Sequence, residues 1–149
     1  MNKKLQEQLV EKAAEAAKKS YAPYSNFHVG AALLVAGKPA CNLAVAPGIA
    51  GRPLIITGGN VENASFGLTI CAERTALAAA VSAGHRRFEA IAVAAGGKET
   101  VVPCGACLQV LAEFCGPDLI VIAVSAARPD KVKIFKLRDL LPRVFKFRS

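Results

Sequence analysis

The stretch AIAVAAGGKETVVPCGACLQVLAEFCGPDLIVIAV, residues 90–124, decides the fold. Ala90 to Ala95 is a short apolar run and reads as a strand. Cys104 to Phe114 is long enough for a helix, and Gly116-Pro117 ends it. Leu119 to Val124 is an unbroken, mostly β-branched run, a second strand. Working back, Cys71 to Ala83 is Ala-rich and helical, closed by Gly84 in the position after the C-cap. Pro53 to Thr57 reads as a strand ended by Gly58-Gly59, and His28 to Ala36 as a buried strand. Lys3 to Lys19 repeats Leu5, Leu9 and Ala13 at helical spacing. Tyr21 to Asn26 is a loop, and residues 38–52 form a Gly/Pro/Ala-rich insert between two strands. Working forward, Val132 to Phe135 reads as a strand and Leu137 to Leu141 as a short helix stopped by Pro142. Strands that alternate with helices make an α/β layered domain.

The chain of 149 residues and 15.5 kDa fits one domain, residues 1–149, which buries a core without disulfides. Hydrophobic residues at 53% and charged residues at 20% exclude a wholly disordered chain. No apolar run reaches the roughly 18 residues of a membrane span. The first residues enter mixed charge directly, with no apolar signal segment. The expected compartment is therefore the cytoplasm, where thiols stay reduced. Five Cys in such a chain are candidates for metal binding or catalysis before disulfides. The net charge is +8, and Arg128 to Ser149 holds eight Lys and Arg against Asp130 and Asp139. Such a tail reads either as a nucleic-acid footprint or as a solvated strand and helix face, and the second is the weightier reading.

Three Cys stand out by position. Cys71 opens one helix, and Pro103-Cys104-Gly105-Ala106-Cys107 opens another. A C-x-x-C pair at a helix start presents two sulfurs one turn apart, which suits tetrahedral zinc. Helix N-termini carry about half a positive charge and favour thiolates. Three protein ligands leave the fourth position open, the mark of a catalytic rather than a structural zinc. Glu73, two residues beyond Cys71, points away from it around the helix and is better placed to take a proton from the activated water than to bind the metal. Arg74 can offset the charge of three thiolates.

C-x-E followed by P-C-x-x-C is the zinc deaminase signature. With Tyr21-Ala22-Pro23-Tyr24-Ser25-Asn26-Phe27, Val29 to Leu34, Asn60-Val61-Glu62-Asn63-Ala64-Ser65 and Leu140-Leu141-Pro142 in order along the chain, the sequence resembles the small, homotetrameric, zinc-dependent cytidine deaminases. The resemblance implies a three-layer α/β/α fold around a mixed sheet of about five strands. It implies hydrolytic deamination of cytidine and 2′-deoxycytidine to uridine and 2′-deoxyuridine, a step of pyrimidine salvage. It also implies one zinc per chain, held by Cys71, Cys104 and Cys107, with Glu73 as proton shuttle. Asn60 and Glu62 match the ribose-binding pair, and Phe27 the aromatic that packs on the pyrimidine. Phe145 matches a C-terminal aromatic that reaches a neighbouring subunit's active site, and the segment around Ala64 and Phe66 matches one that a neighbour also contributes. The partners expected are a nucleoside and further copies of the chain, with no nucleic acid and no membrane.

Bland readings stand beside these. Phe27 also fits a core position, Asn60 to Asn63 a turn after a strand, and Arg74 a surface site. Cys41 and Cys115 lack partners at metal spacing, and His28 reads as a satisfied or exposed polar residue. A polynucleotide deaminase, a non-catalytic zinc fold and a blasticidin-type deaminase share parts of the pattern. Few aromatics, seven Phe and two Tyr, weigh against the first. Glu73 weighs against the second and the Asn60/Glu62 pair against the third. Leu108 stands where the family commonly has Arg, which puts that arginine's bonds to the C-terminal region in doubt. Phe66 replaces a common Tyr. The 38–52 insert, at the far end of a hairpin, is expected to sit away from the zinc.

Overall fold

The computed structural model describes residues 1–37 and 53–147. The expected insert, residues 38–52 with Cys41, lies outside the described residues. Within them the order is α1 (Lys3–Ala17), β1 (Val29–Val35), β2 (Ile55–Gly59), a 3-10 turn (Phe66–Leu68), α2 (Ala72–Ser82), β3 (Phe88–Ala95), α3 (Gly105–Phe114), β4 (Ile120–Ser125), β5 (Arg128–Lys136) and α4 (Leu137–Leu140).

The five strands form one sheet in the order β2-β1-β3-β4-β5. β1 is antiparallel to β2 and β3, β3 and β4 are parallel, and β4 and β5 are antiparallel. The sheet is thus mixed, and the parallel pair is joined by the crossover helix α3, as a parallel pair requires. Alternate residues face opposite layers. Ala31, Leu33, Val35, Ile91, Val93 and Val121 pack with Ala76, Leu77 and Ala80 of α2 and Leu108 and Leu111 of α3. Ala32, Leu34, Ala90, Ala92, Ala94, Ile122 and Val124 pack against Leu9, Val10 and Ala13 of α1. The layers are α1, the sheet, then α2 with α3.

The expected strand ending at Thr57 is corrected by two residues, because Gly58 and Gly59 are inside β2, paired with Ala31 and Gly30. Their composition signals a break, but tertiary contact requires it. A Cβ on Gly58 would lie 2.4 Å from the backbone nitrogen of Ala76 and 2.8 Å from the carbonyl oxygen of Ala72. Gly30 is tighter still, with a Cβ meeting the Ala13 carbonyl oxygen at 2.1 Å. Both helices therefore lie on the sheet where no side chain stands. β5 is also longer than the expected Val132–Phe135. Its residues are almost all exposed, so charge rather than apolar alternation marks its ends. An edge strand carrying lysines is protected from pairing with other chains. The basic C-terminal region is thus largely a solvated face, with Lys136 and Arg138 each 3.0 Å from Asp118.

Candidate active site

The site gathers where β2 and β3 end and α2 and α3 begin. Segment Asn60–Glu62 leaves β2 between two partners. Tyr21 N–H donates to the Asn60 carbonyl (2.9 Å), Glu62 N–H to the Tyr21 carbonyl (2.8 Å), and Val61 pairs with Ile70. Ile70 delivers the chain to Cys71, the N-cap of α2, while Cys104 is the N-cap of α3. Each of these two sulfurs therefore stands at a helix start.

They meet with Cys107. The Sγ atoms of Cys71, Cys104 and Cys107 all lie within 4.8 Å of one another, and Cys104 Sγ is 3.6 Å from Cys107 Sγ. Cys107 is completely buried, Cys71 half-buried and Cys104 exposed, so the cluster is closed on the protein side and open on one flank. Burial raises the Cys107 thiol, and the negative neighbours Glu73, Cys71 and Cys104 raise it further. Burial also raises the Cys104 thiol, but the N–H groups of Cys107 and Ala106 and the thiols of Cys107 and Cys71 outweigh it and carry it below its ordinary value. Three soft donors crowded so closely repel one another as thiolates, and a divalent cation relieves that repulsion. The donor set and spacing fit zinc.

Glu73 is only 5% exposed. Burial pushes its carboxyl above the ordinary carboxylate range, against its own backbone N–H, the Cys107 thiol and the Arg74 charge. Arg74 Nη2 lies 3.4 Å from Cys71 Sγ and donates to the Thr69 carbonyl at 3.1 Å, so it is no ordinary surface arginine.

The remaining expected residues divide sharply. Asn60 is buried, its Oδ1 accepting from Val29 N–H (2.8 Å) and its Nδ2 donating to the Phe27 carbonyl (3.0 Å). Glu62 accepts from the N–H groups of Tyr24 (2.9 Å) and Ser25 (3.3 Å) and from the Ser25 hydroxyl. Both side chains thus shape the loop that carries Phe27, and each keeps part of its hydrogen-bonding capacity for a ligand. Phe27 is 41% exposed, Ala64 exposed and Phe66 72% exposed, its ring edge-on to Tyr24 with centroids 5.9 Å apart. Phe145 is 72% exposed and stands beyond α4. His28 is satisfied as expected, with Nδ1 2.8 Å from the Ser20 hydroxyl. Cys115 stands outside the cluster, its thiol pushed up to about 12 by burial. Two participants escaped the sequence reading. Ser25 orients Glu62, for which its place in a Pro-Tyr-Ser-Asn turn was a usable signal. Gln109 bonds the Phe145 backbone, and no local pattern marks it.

The sequence profile of the cytidine and deoxycytidylate deaminase zinc-binding region matches residues 3–123, which include the whole thiol cluster and Glu73. The chain belongs to the cytidine deaminase family. It is 48% identical over 110 residues to a cytidine deaminase of Halalkalibacterium halodurans, covering 74% of this chain and 72% of that one. A probable cytidine deaminase of Dictyostelium discoideum is 41% identical, covering 97% of this chain and 86% of its own. The crystal structure of cytidine deaminase from Burkholderia pseudomallei superposes with a TM-score of 0.78 at 41% identity, over 97% of this chain and 100% of that one. The three-layer fold with its five-stranded mixed sheet is therefore the family's, and Cys71, Cys104 and Cys107 are its zinc-binding set. Among the described residues no helix is long and apolar enough to cross a membrane.

Proposed function

We infer that this chain is a zinc-dependent cytidine deaminase that hydrolyses cytidine and 2′-deoxycytidine to uridine and 2′-deoxyuridine. The observation that carries the reading is a buried carboxyl, Glu73, against the buried thiol of a three-sulfur cluster. Cys71, Cys104 and Cys107 would hold the zinc, which supplies Lewis-acid activation of the attacking water. Burial raises the Glu73 carboxyl above the ordinary carboxylate range, which strengthens it as a base and suits it to pass the proton on. It takes a proton from the water that adds to C4 of the pyrimidine and gives one to N3. It then takes the remaining hydroxyl proton and passes it to the amino nitrogen as the C4–N bond breaks. Ammonia leaves, a carbonyl remains at C4, and Glu73 ends in its starting state. Arg74 balances charge at Cys71.

The base stacks on Phe27 in this reading, and the residual hydrogen-bonding capacity of Asn60 and Glu62 takes the ribose hydroxyls. Ala64 and Phe145 act on a neighbouring copy, so the working unit is a homotetramer with shared active sites. The exposed rings of Phe66 and Phe145 support that assembly, since they stay in water on a lone chain. The reading makes 1–149 a single domain that takes nucleosides and neither nucleic acid nor membrane. It places the enzyme in the cytoplasm, where the four described free cysteines stay reduced. The test is ammonia release from cytidine, deoxycytidine, blasticidin and a cytosine-containing oligonucleotide. The first two alone should yield ammonia, and release only from the oligonucleotide or blasticidin would overturn the assignment.

A further inference from the structure

Phe145 combines an exposed ring with a fixed backbone. α4 ends at Leu140, and residues 141–147 form no helix or strand. A tail of that kind is ordinarily mobile. Here both backbone groups of Phe145 bond to one side chain. Gln109 Nε2 donates to the Phe145 carbonyl at 3.0 Å, and the Phe145 N–H donates to Gln109 Oε1 at 3.2 Å. Among the described residues no other hydrogen bond ties 142–147 to the body of the chain.

A single bond leaves a peptide free to swing about it. Two antiparallel bonds from one planar amide set both its position and its orientation. Gln109 is half-buried on α3, two residues after Cys107, so its carrier is the helix that bears two zinc ligands. The neighbouring Leu108 is buried in the core and makes no polar contact to the tail.

We propose that Gln109 is a positioning residue for Phe145: its side-chain amide clamps the tail onto α3 and presents the Phe145 ring outward to the active site of a second copy. The proposal rests on the reading that Phe145 closes a neighbour's nucleoside site. The clamp reduces the conformational freedom that the tail loses when substrate is enclosed, which lowers the cost of binding. It also couples the tail of one copy to the metal-bearing helix of the same copy, so one rigid element sets both.

The test compares the holoenzymes of Gln109→Ala, Gln109→Glu, Phe145→Ala and Gln109→Ala/Phe145→Ala, each checked for zinc content and oligomeric mass. Gln109→Ala should raise KM for cytidine by up to several-fold and by no more than Phe145→Ala does, with the larger part of the effect in KM rather than kcat. Gln109→Glu keeps the acceptor for the Phe145 N–H and loses the donor, so its KM should fall between. The double variant should match Phe145→Ala alone, because the clamp acts only through that ring. A raised KM in Phe145→Ala with a normal KM in both Gln109 variants would sink the clamp and leave the shared site standing. Additive effects in the double variant would likewise overturn it. If Phe145→Ala binds cytidine normally, the shared-site reading fails and takes the clamp with it. Should Gln109→Ala lose zinc or fold, the nearly isosteric Gln109→Glu decides the matter on the same criteria.

Discussion

The thiol corner and the aromatic rim of the site are built on opposite plans. At the corner the thiols, Glu73 and Arg74 come from one chain, which closes the inner side and leaves Cys104 exposed on the open flank. Cys107 is fully buried, Glu73 nearly so, and Arg74 is bonded to Cys71 and Thr69. At the rim Phe27, Phe66 and Phe145 are exposed, although the backbones around Phe27 and Phe145 are held by Ser25, Glu62 and Gln109. Backbones are fixed on the rim while side chains are left without cover. The contrast separates two tasks. Proton transfer needs a low-dielectric, preorganised corner, which a single fold can supply. Enclosing a flat base needs surfaces on both sides, and in the proposed shared site the second surface comes from another copy.

The largest expected effect lies at the corner. Glu73→Gln should keep zinc and fold but lower kcat by 10²–10⁴-fold or more, because an amide neither accepts nor delivers the proton. Zinc analysis beside steady-state kinetics checks it, and kcat within about tenfold of wild type would remove Glu73 from its role. Zinc retention itself should fall with pH, since the three sulfurs bind metal as thiolates and protonation competes. Release of zinc on raising the pH through neutrality would contradict a thiolate site.

Next comes the support beneath the corner. Gly58→Ala places a methyl against the backbone of α2 at Ala72 and Ala76, groups that cannot rotate away. The helix must lift, and Cys71 at its N-cap moves with it. A loss of about 1–3 kcal/mol in denaturant unfolding, with weaker zinc binding, is the expected outcome. Gly30→Ala presses on α1 instead. It should cost stability without a specific loss of zinc affinity, which separates the two faces of the sheet.

Rim effects should be smaller. Phe145→Ala should raise KM for cytidine by several-fold to about tenfold, the scale of one aromatic stacking contact of about 0.5–1.5 kcal/mol. The Glu62 carboxyl is held below its ordinary 4.5, chiefly by the Ser25 hydroxyl, which outweighs the opposing effect of desolvation, with smaller help from the Tyr24 and Ser25 N–H groups. A lowered folded value means that its contribution is present above about 4.5 and is lost as pH falls through the lower folded value. Glu62→Gln should therefore show a small deficit in Tm at neutral pH that closes in acid. A deficit that grows in acid would reverse the assignment.

The same contrast explains what the sequence could convey. The corner was legible because its chemistry is local: C-x-E and C-x-x-C each lie within one helical turn, and a helix start fixes where the sulfurs go. The sheet was legible from apolar runs, except where tertiary contact overrides composition. Gly58 and Gly59 look like a strand end and are strand interior. β5 shows only its apolar middle, because an exposed edge strand needs no apolar alternation. Gln109 was invisible because its partner is 36 residues away. Long-range side-chain-to-backbone bonds leave no periodic trace.

The central claim is that proton transfer belongs to one chain and closure of the base to another. Co-expressed Glu73→Gln and Phe145→Ala chains, with mixed oligomers isolated and verified by native mass spectrometry, test it directly. In a mixed oligomer an intact Glu73 can face an intact Phe145 from the other chain. Those sites should bind cytidine with the wild-type KM and turn over at the wild-type rate per competent site. If verified mixed oligomers keep the raised KM of Phe145→Ala, the ring serves only its own chain and the division of labour is wrong.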